Sequence, residues 1–210
     1  MASLTFNKVV IFTITGILLC LSANNVDGFP NGVGDVGSEG CLCHGEANSD
    51  TRITLSGLPE KFEADTNYSL SLELSNDEIP QSTESAQGGF RIISNTGTLF
   101  FDNDTGHLID NGWTHKGISN QQRIWNLSWL SPSDNTTMSK ITIYGNAVNG
   151  NQMSNGDNWD VIEVYVPGVE NFDPIPTAQI IDHELEIFDK TMLVLGLLAL
   201  LYICFRMIKD

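Results

Sequence analysis

Between Thr51 and Pro167, apolar side chains fall at every second position in short runs, and clusters of Gly, Asn, Pro and Ser interrupt each run before it grows long. Tyr68, Leu70, Leu72 and Leu74 form the clearest run. Ile53 with Leu55, Phe90 with Ile92, Leu99 with Phe101, Leu127 with Trp129, Ile141 with Ile143 and the stretch 161–166 repeat the pattern. A period of two sends alternate side chains to opposite faces of an extended backbone. Each run therefore has one apolar face, which a second layer must cover. No helical period is sustained in this region. Seven or so strands in about 115 residues, with turn signals between them, predict an all-β antiparallel sandwich. Trp125, Trp129, Phe90 and Tyr68 are expected to pack in it rather than stack on a ligand.

The two ends differ from this middle. Lys8 precedes an apolar run ending at Leu21, and Ser22-Ala23 with a polar, Asn-rich stretch follows, which is the order of a secretory signal peptide over residues 1–23. Leu19 in front of Cys20 disfavours lipidation at that cysteine. Residues 24–50 form a Gly- and Asn-rich segment, 51–167 the sandwich and 168–190 a linker held extended by Pro174 and Pro176. The charge-free run from Thr191 to Phe205, flanked by Lys190 and Arg206, is expected to form a transmembrane helix over 191–208, single-pass, with the N-terminal ectodomain outside the cytoplasm. Its length is marginal, since fifteen residues rise only ~22 Å against a hydrocarbon core of ~30 Å.

Composition sets the partner class. The chain carries 26 Asp and Glu against 10 Lys and Arg, a formal charge of −16. Without the two ends, which hold Lys8, Arg206, Lys209 and Asp210, 7 basic residues face 25 acidic ones. Such a surface excludes nucleic-acid binding through phosphate neutralisation. It suits an exported protein in saline surroundings. Asn67, Asn103, Asn126 and Asn135 head Asn-x-Ser/Thr sequons and make the chain a candidate glycoprotein.

Of four cysteines, Cys20 falls in the leader and Cys204 in the C-terminal helix, so Cys41 and Cys43 alone face an oxidising exterior. His44 follows at once, and Gly40 and Gly45 flank the cluster. Three chemistries suit Cys41-Leu-Cys-His44. Covalent haem c uses two thiols for the vinyl groups and a following histidine for iron, although the usual two-residue spacer is here the single Leu42. Zinc or copper would need a further ligand, such as His115, His107 or Met153. A strained Cys41–Cys43 disulfide, an intermolecular disulfide or unmodified thiols complete the set, with no cofactor. For haem, His115 in Trp113-Thr-His-Lys-Gly117 is the first candidate for a second axial ligand, being read as a Gly-flanked loop residue, and His107 the next.

Two other oxygen-rich stretches read as turns. Asp102-Asn-Asp104-Thr-Gly106 lacks the later ligands of an EF-hand, and Asn155-Gly-Asp157 has the composition of a hairpin turn. No Ser-His-Asp order, P-loop or His-Glu-x-x-His motif occurs. Hydrolase and nucleotide chemistry are without support, and an electron carrier or binding module is expected rather than an enzyme.

Gly40-Cys-Leu-Cys-His-Gly45 leading into Ile53-Thr-Leu-Ser-Gly-Leu-Pro59 is similar to the choice-of-anchor V domain of bacterial and archaeal surface proteins, itself related to Ig/reeler-like β-sandwiches. Tyr68-Ser-Leu-Ser-Leu72, Gly89-Phe-Arg-Ile92, Thr114-His115, Trp125, Trp129, Pro132, the stretch Ile141-Thr-Ile-Tyr-Gly-Asn-Ala-Val-Asn-Gly-Asn151 and Gly156-Asp157 extend the match over about 120 residues. The resemblance implies a reeler-like sandwich displayed at a cell surface, with a cytochrome-like cysteine motif at its N-terminal end. Two functions are then expected. One is a membrane-tethered electron carrier that meets a redox partner. The other is a non-catalytic module for adhesion, or for binding a surface protein or glycan, with the cysteine cluster as a disulfide or metal staple.

Overall fold

The computed structural model describes residues 29–40, 46–47, 50–81, 85–151, 153, 155–176 and 187–209. The expected signal peptide, the cluster from Cys41 to Gly45 and the end of the linker lie outside the described residues. One compact unit, Asp27–Ile181, contains all the strands, and a second contains the C-terminal helix.

Among the described residues, ten strands form two sheets. They are β1 (Glu46–Ala47), β2 (Arg52–Ser56), β3 (Asn67–Ser75), β4 (Gly88–Ser94), β5 (Thr98–Phe101), β6 (Gly106–Ile109), β7 (Gly112–His115), β8 (Ile124–Leu130), β9 (Met138–Ala147) and β10 (Asn158–Pro167). The larger sheet runs β1-β10-β9-β4-β7-β6 and the smaller β2-β3-β8-β5. All named pairings are antiparallel except β1 with β10, where Glu46 meets Asn158 and Ala47 meets Trp159. The all-β sandwich expected from the alternation is thus the observed fold.

The alternation explains the core directly. Leu70, Leu72 and Leu74 of β3 and Trp125, Leu127 and Trp129 of β8 point inward, against Phe90 and Ile92 of β4 and Ile141 and Ile143 of β9. Phe62 meets Trp129 edge-on at 5.6 Å, and Tyr68 stacks on it at 5.7 Å. Phe90 packs 4.9 Å from both Phe101 and Trp125. These are the offset and edge-to-face arrangements that the ring quadrupole favours.

The larger sheet departs from the simple rule. In β9, every residue from Ile141 to Ala147 is buried, including Thr142, Tyr144 and Asn146 on the outer face. An antiparallel sheet with one apolar face normally leaves the other in water. Here the Gly- and Asn-rich segment before β1, read from sequence as a loop, covers that face.

Two further expectations are corrected. His115 is not a loop residue but the last residue of β7. The C-terminal segment does form a helix, α1 (Ile187–Lys209), but among the described residues no helix is long and apolar enough to cross a membrane. The physical reason is length: the charge-free run between Lys190 and Arg206 is about 8 Å shorter than a hydrocarbon core. Within that run Leu193, Leu197, Leu198, Leu201 and Ile203 are all exposed. The Asp102 stretch is a turn as expected, with Thr105 N and Gly106 N donating to Asp102 O. Asn155 and Gly156 lie in the longer connection between β9 and β10.

Candidate functional site

Residues 29–40 form an arm that crosses the outer face of the larger sheet strand by strand. On β6, His107 Nε2 donates to Asn31 O at 2.7 Å. On β7, Thr114 Oγ1 accepts from Val33 N at 3.1 Å. β4 contributes Arg91 and β9 contributes Tyr144, whose hydroxyl donates to Ser38 O at 2.5 Å. On β10, Trp159 packs against Gly40: a Cβ on that glycine would lie 2.4 Å from the indole ring, and its φ is +111. Only glycine tolerates both conditions.

Arg91 is the centre of this attachment. Its side chain is 1% exposed, and all five of its N–H groups are used. Nε donates to Ser38 Oγ at 2.8 Å, one terminal nitrogen to Val33 O and Ile109 O, and the other to Asp35 Oδ1 at 2.7 Å and Asp110 O. Burial lowers its pKa, and Asp35 followed by Asp110 opposes that shift. A guanidinium fork satisfies planar, divergent acceptors in a way that an ammonium does not.

The arm therefore hands the chain to Cys41 at Trp159, and β1 resumes beside Asn158 and Trp159. Both described flanks of the Cys41-Leu-Cys-His44 cluster meet the first two residues of β10. Cys41, Cys43 and His44 themselves lie outside the described residues.

His115 lies in the same part of the sheet. The β4–β7 ladder pairs Arg91 with Thr114 and Ile92 with Trp113. At the next position the His115 imidazole replaces the backbone rung, with Phe90 N donating to Nδ1 at 3.1 Å. Its ring fills the space above Gly89, where a Cβ would come within 2.4 Å of it. Gly89 pairs with Asn146, and Asn146 with Trp159, so two strand spacings, about 10 Å, separate the backbone under the ring from Trp159. Asn146 Oδ1, between them, is buried without a hydrogen-bond partner among the described residues.

The tautomer of His115 decides its chemistry. With the proton on Nε2, Nδ1 accepts from Phe90 N. With the proton on Nδ1, that nitrogen has Phe90 O at 3.4 Å to donate to, and the Nε2 lone pair becomes the ligating one. The 3.1 Å contact from Phe90 N is that of the Nε2-protonated form, because a proton on Nδ1 would face the Phe90 N–H. His107 is committed to the arm at the opposite edge of the sheet, and Met153 is exposed in the β9–β10 connection. Among the described residues, no three His, Cys, Asp or Glu side chains come together as a metal site.

Arg91 and Asn146 escaped the sequence reading. The signal for Arg91 was its place inside Gly89-Phe-Arg-Ile92: a charge on the supposedly solvated face of an otherwise apolar strand gains nothing special, yet here it holds the arm.

No family model matches the chain, and no curated protein sequence does. Solved structures similar to it include the Reelin-N domain of F-spondin, 13% identical with a TM-score of 0.40 over 60% of this chain and 93% of that one. A conjugative transposon lipoprotein from Bacteroides eggerthii is 12% identical, with a TM-score of 0.38 over 57% of this chain and 98% of that one. A conjugate transposon protein from Bacteroides vulgatus is 14% identical, with a TM-score of 0.37 over 60% and 91%. Similarity of this degree does not place the chain in a family.

Proposed function

We propose that the protein is an exported β-sandwich of the choice-of-anchor V type that presents Cys41-Leu-Cys-His44 for covalent haem attachment and electron transfer. The observation that carries this reading is the arm. It is fastened across five strands and brings the cluster's N-terminal flank to Trp159, in the sheet row that also holds Gly89 and the ring of His115.

The residue types fit the group. Cys41 and Cys43 would supply two thiols and His44 an imidazole, and His115 would offer a second imidazole by exchanging the bond from Phe90 N for one to Phe90 O. Bound there, haem would supply one-electron chemistry. The chain's own part is to hold the arm rigid through Arg91 and to fix the His115 ring above Gly89. The acidic surface favours a basic redox partner or a metal ion.

Absorption and intact mass test the assignment in one sample, made by a host with a cytochrome-maturation system. A Soret band and a mass increased by one haem are expected, with loss of one thioether in Cys41→Ser. A protein without either overturns it.

A second reading is supported by the completeness of the Arg91 cradle, which fastens the arm with no cofactor. The protein is then a non-catalytic surface module for adhesion, protein or glycan binding, its cluster closed as a disulfide or occupied by zinc or copper. A mass lower by two hydrogens, or stoichiometric metal lost on chelation, would identify it.

A further inference from the structure

The two outer faces of the sandwich differ. The arm covers the larger sheet, whereas the smaller sheet shows its outer face to solvent. That face is built mainly of small hydroxyls: Ser69 and Ser71 on β3, Thr54 and Ser56 on β2, and Ser128 on β8, with Thr54, Ser56 and Ser69 exposed. Two of the four sequons stand on it, Asn67-Tyr-Ser69 and Asn126-Leu-Ser128, and both asparagines are exposed.

Asn126 has room above it and apolar surface beside it. Its cross-strand partner is Ser71, which leaves the space over the sheet open. Ile124, two residues back on the same face, is 52% exposed, and Phe100 is 47% exposed. Phe100 pairs with Ser128, so it lies diagonal to Asn126, about 7–8 Å away and within reach of an aromatic side chain. Hydroxyl neighbours with an exposed aromatic ring and an exposed aliphatic chain match a sugar, whose edges form hydrogen bonds and whose C–H faces pack on apolar groups. Asn135 is different: its carbonyl accepts from Glu170 N, and Gly168 packs against its backbone.

We propose that the outer face of β2-β3-β8-β5 is a glycan-bearing face, modified at Asn126 and Asn67. This rests on the export of the domain and not on what the cysteine cluster binds. The co-reactant is a lipid-phosphate-linked oligosaccharide. Asparagine Nδ2 attacks the anomeric carbon, the C–N bond forms as the C–O bond to the lipid phosphate breaks, the phosphate leaves with the electron pair, and Nδ2 loses one proton. The glycan then covers Phe100 and Ile124, and the two sheets carry different loads: carbohydrate on one, the arm and its cysteine cluster on the other.

Translation of the full chain in the presence of endoplasmic-reticulum microsomes tests this, with glycans counted by gel mobility in the protease-protected fraction before and after peptide-N-glycosidase. The expected result is that Ser128→Ala and Ser69→Ala each remove one glycan from the protected chain. An unchanged glycan count in both variants, or a protected wild-type chain with no glycan, overturns the proposal. A chain that never becomes protected overturns the export reading, and this one with it, while leaving the haem assay on purified protein unaffected.

Discussion

Replacing Arg91 by Met should detach the arm while leaving the sandwich folded. The methionine keeps the aliphatic stem and removes a guanidinium with five hydrogen bonds, three of them to the backbone carbonyls of Val33, Ile109 and Asp110. Each bond from a charged donor has a net value of roughly 1.5–3 kcal/mol. Their sum overstates the loss, because the guanidinium was desolvated to reach its site, as the direction of its pKa shift records. Breaking a buried ion cluster costs about 3–5 kcal/mol in comparable cases, and that is the expected loss. Asp35 is a contrasting probe of the same ion pair. Its side chain is 74% exposed, so Asp35→Asn should cost less than about 1 kcal/mol. Hydrogen exchange at Val33, Asp35 and Gly37 measures the arm, and exchange along β3 and β8 measures the sandwich. In the Met variant the first group should lose protection and the second should keep it. Arm amides that stay protected, or equal costs for the two substitutions, would show that the arm is held by something other than this cradle.

Three further substitutions probe the neighbouring features. Gly89→Ala should push the His115 ring out of its place and leave Phe90 N without its partner, at about 1–3 kcal/mol; a melting temperature unchanged from wild type would exclude the close approach. Gly40→Ala meets both the Trp159 ring and an unfavourable φ, so tryptophan fluorescence should report displacement at that end of the sheet, and an unaltered spectrum would contradict it. Glu163 accepts from Lys140 Nζ and Tyr165 OH, each at 2.7 Å, and Lys140 first, then Tyr165, lowers its pKa. A lowered folded-state pKa contributes stability that is present above the unfolded value and lost as pH falls through the folded one. The advantage of wild type over Glu163→Gln in urea denaturation should therefore be constant near neutrality and shrink below about pH 4.3; an advantage that grows with acid would reverse the sign.

How far the fold could be read in advance depended on which face was concerned. Leu70, Leu72 and Leu74 announced β3 because a period of two needs nothing beyond neighbouring residues, and Trp125, Leu127 and Trp129 did the same for β8. The outer face of the larger sheet was a different matter. Thr142, Tyr144 and Asn146 have the polarity of a solvated face, yet all three are buried, and Tyr144 meets a segment about a hundred residues earlier. That segment has no periodicity of its own, since it is held by scattered contacts, backbone carbonyls of Asn31, Val33 and Ser38 together with the side chains of Asp35 and Ser38. His115 was singled out on a mistaken premise: it ends a strand, and its ring is placed by the missing side chain of Gly89. Asn146 gave no local signal, because an unpartnered acceptor is a property of its surroundings.

The cradle of Arg91 also has an order built into it. Ile109 and Asp110 lie 18 and 19 residues away along the chain, and their carbonyls arrive with the β4–β7 ladder. Val33, Asp35 and Ser38 are 53 to 58 residues away and close a longer loop, which carries the larger entropic cost. Two of the five bonds thus come with the sheet, and the other three wait for the arm. The arm behaves as a latch that shuts on a finished sandwich.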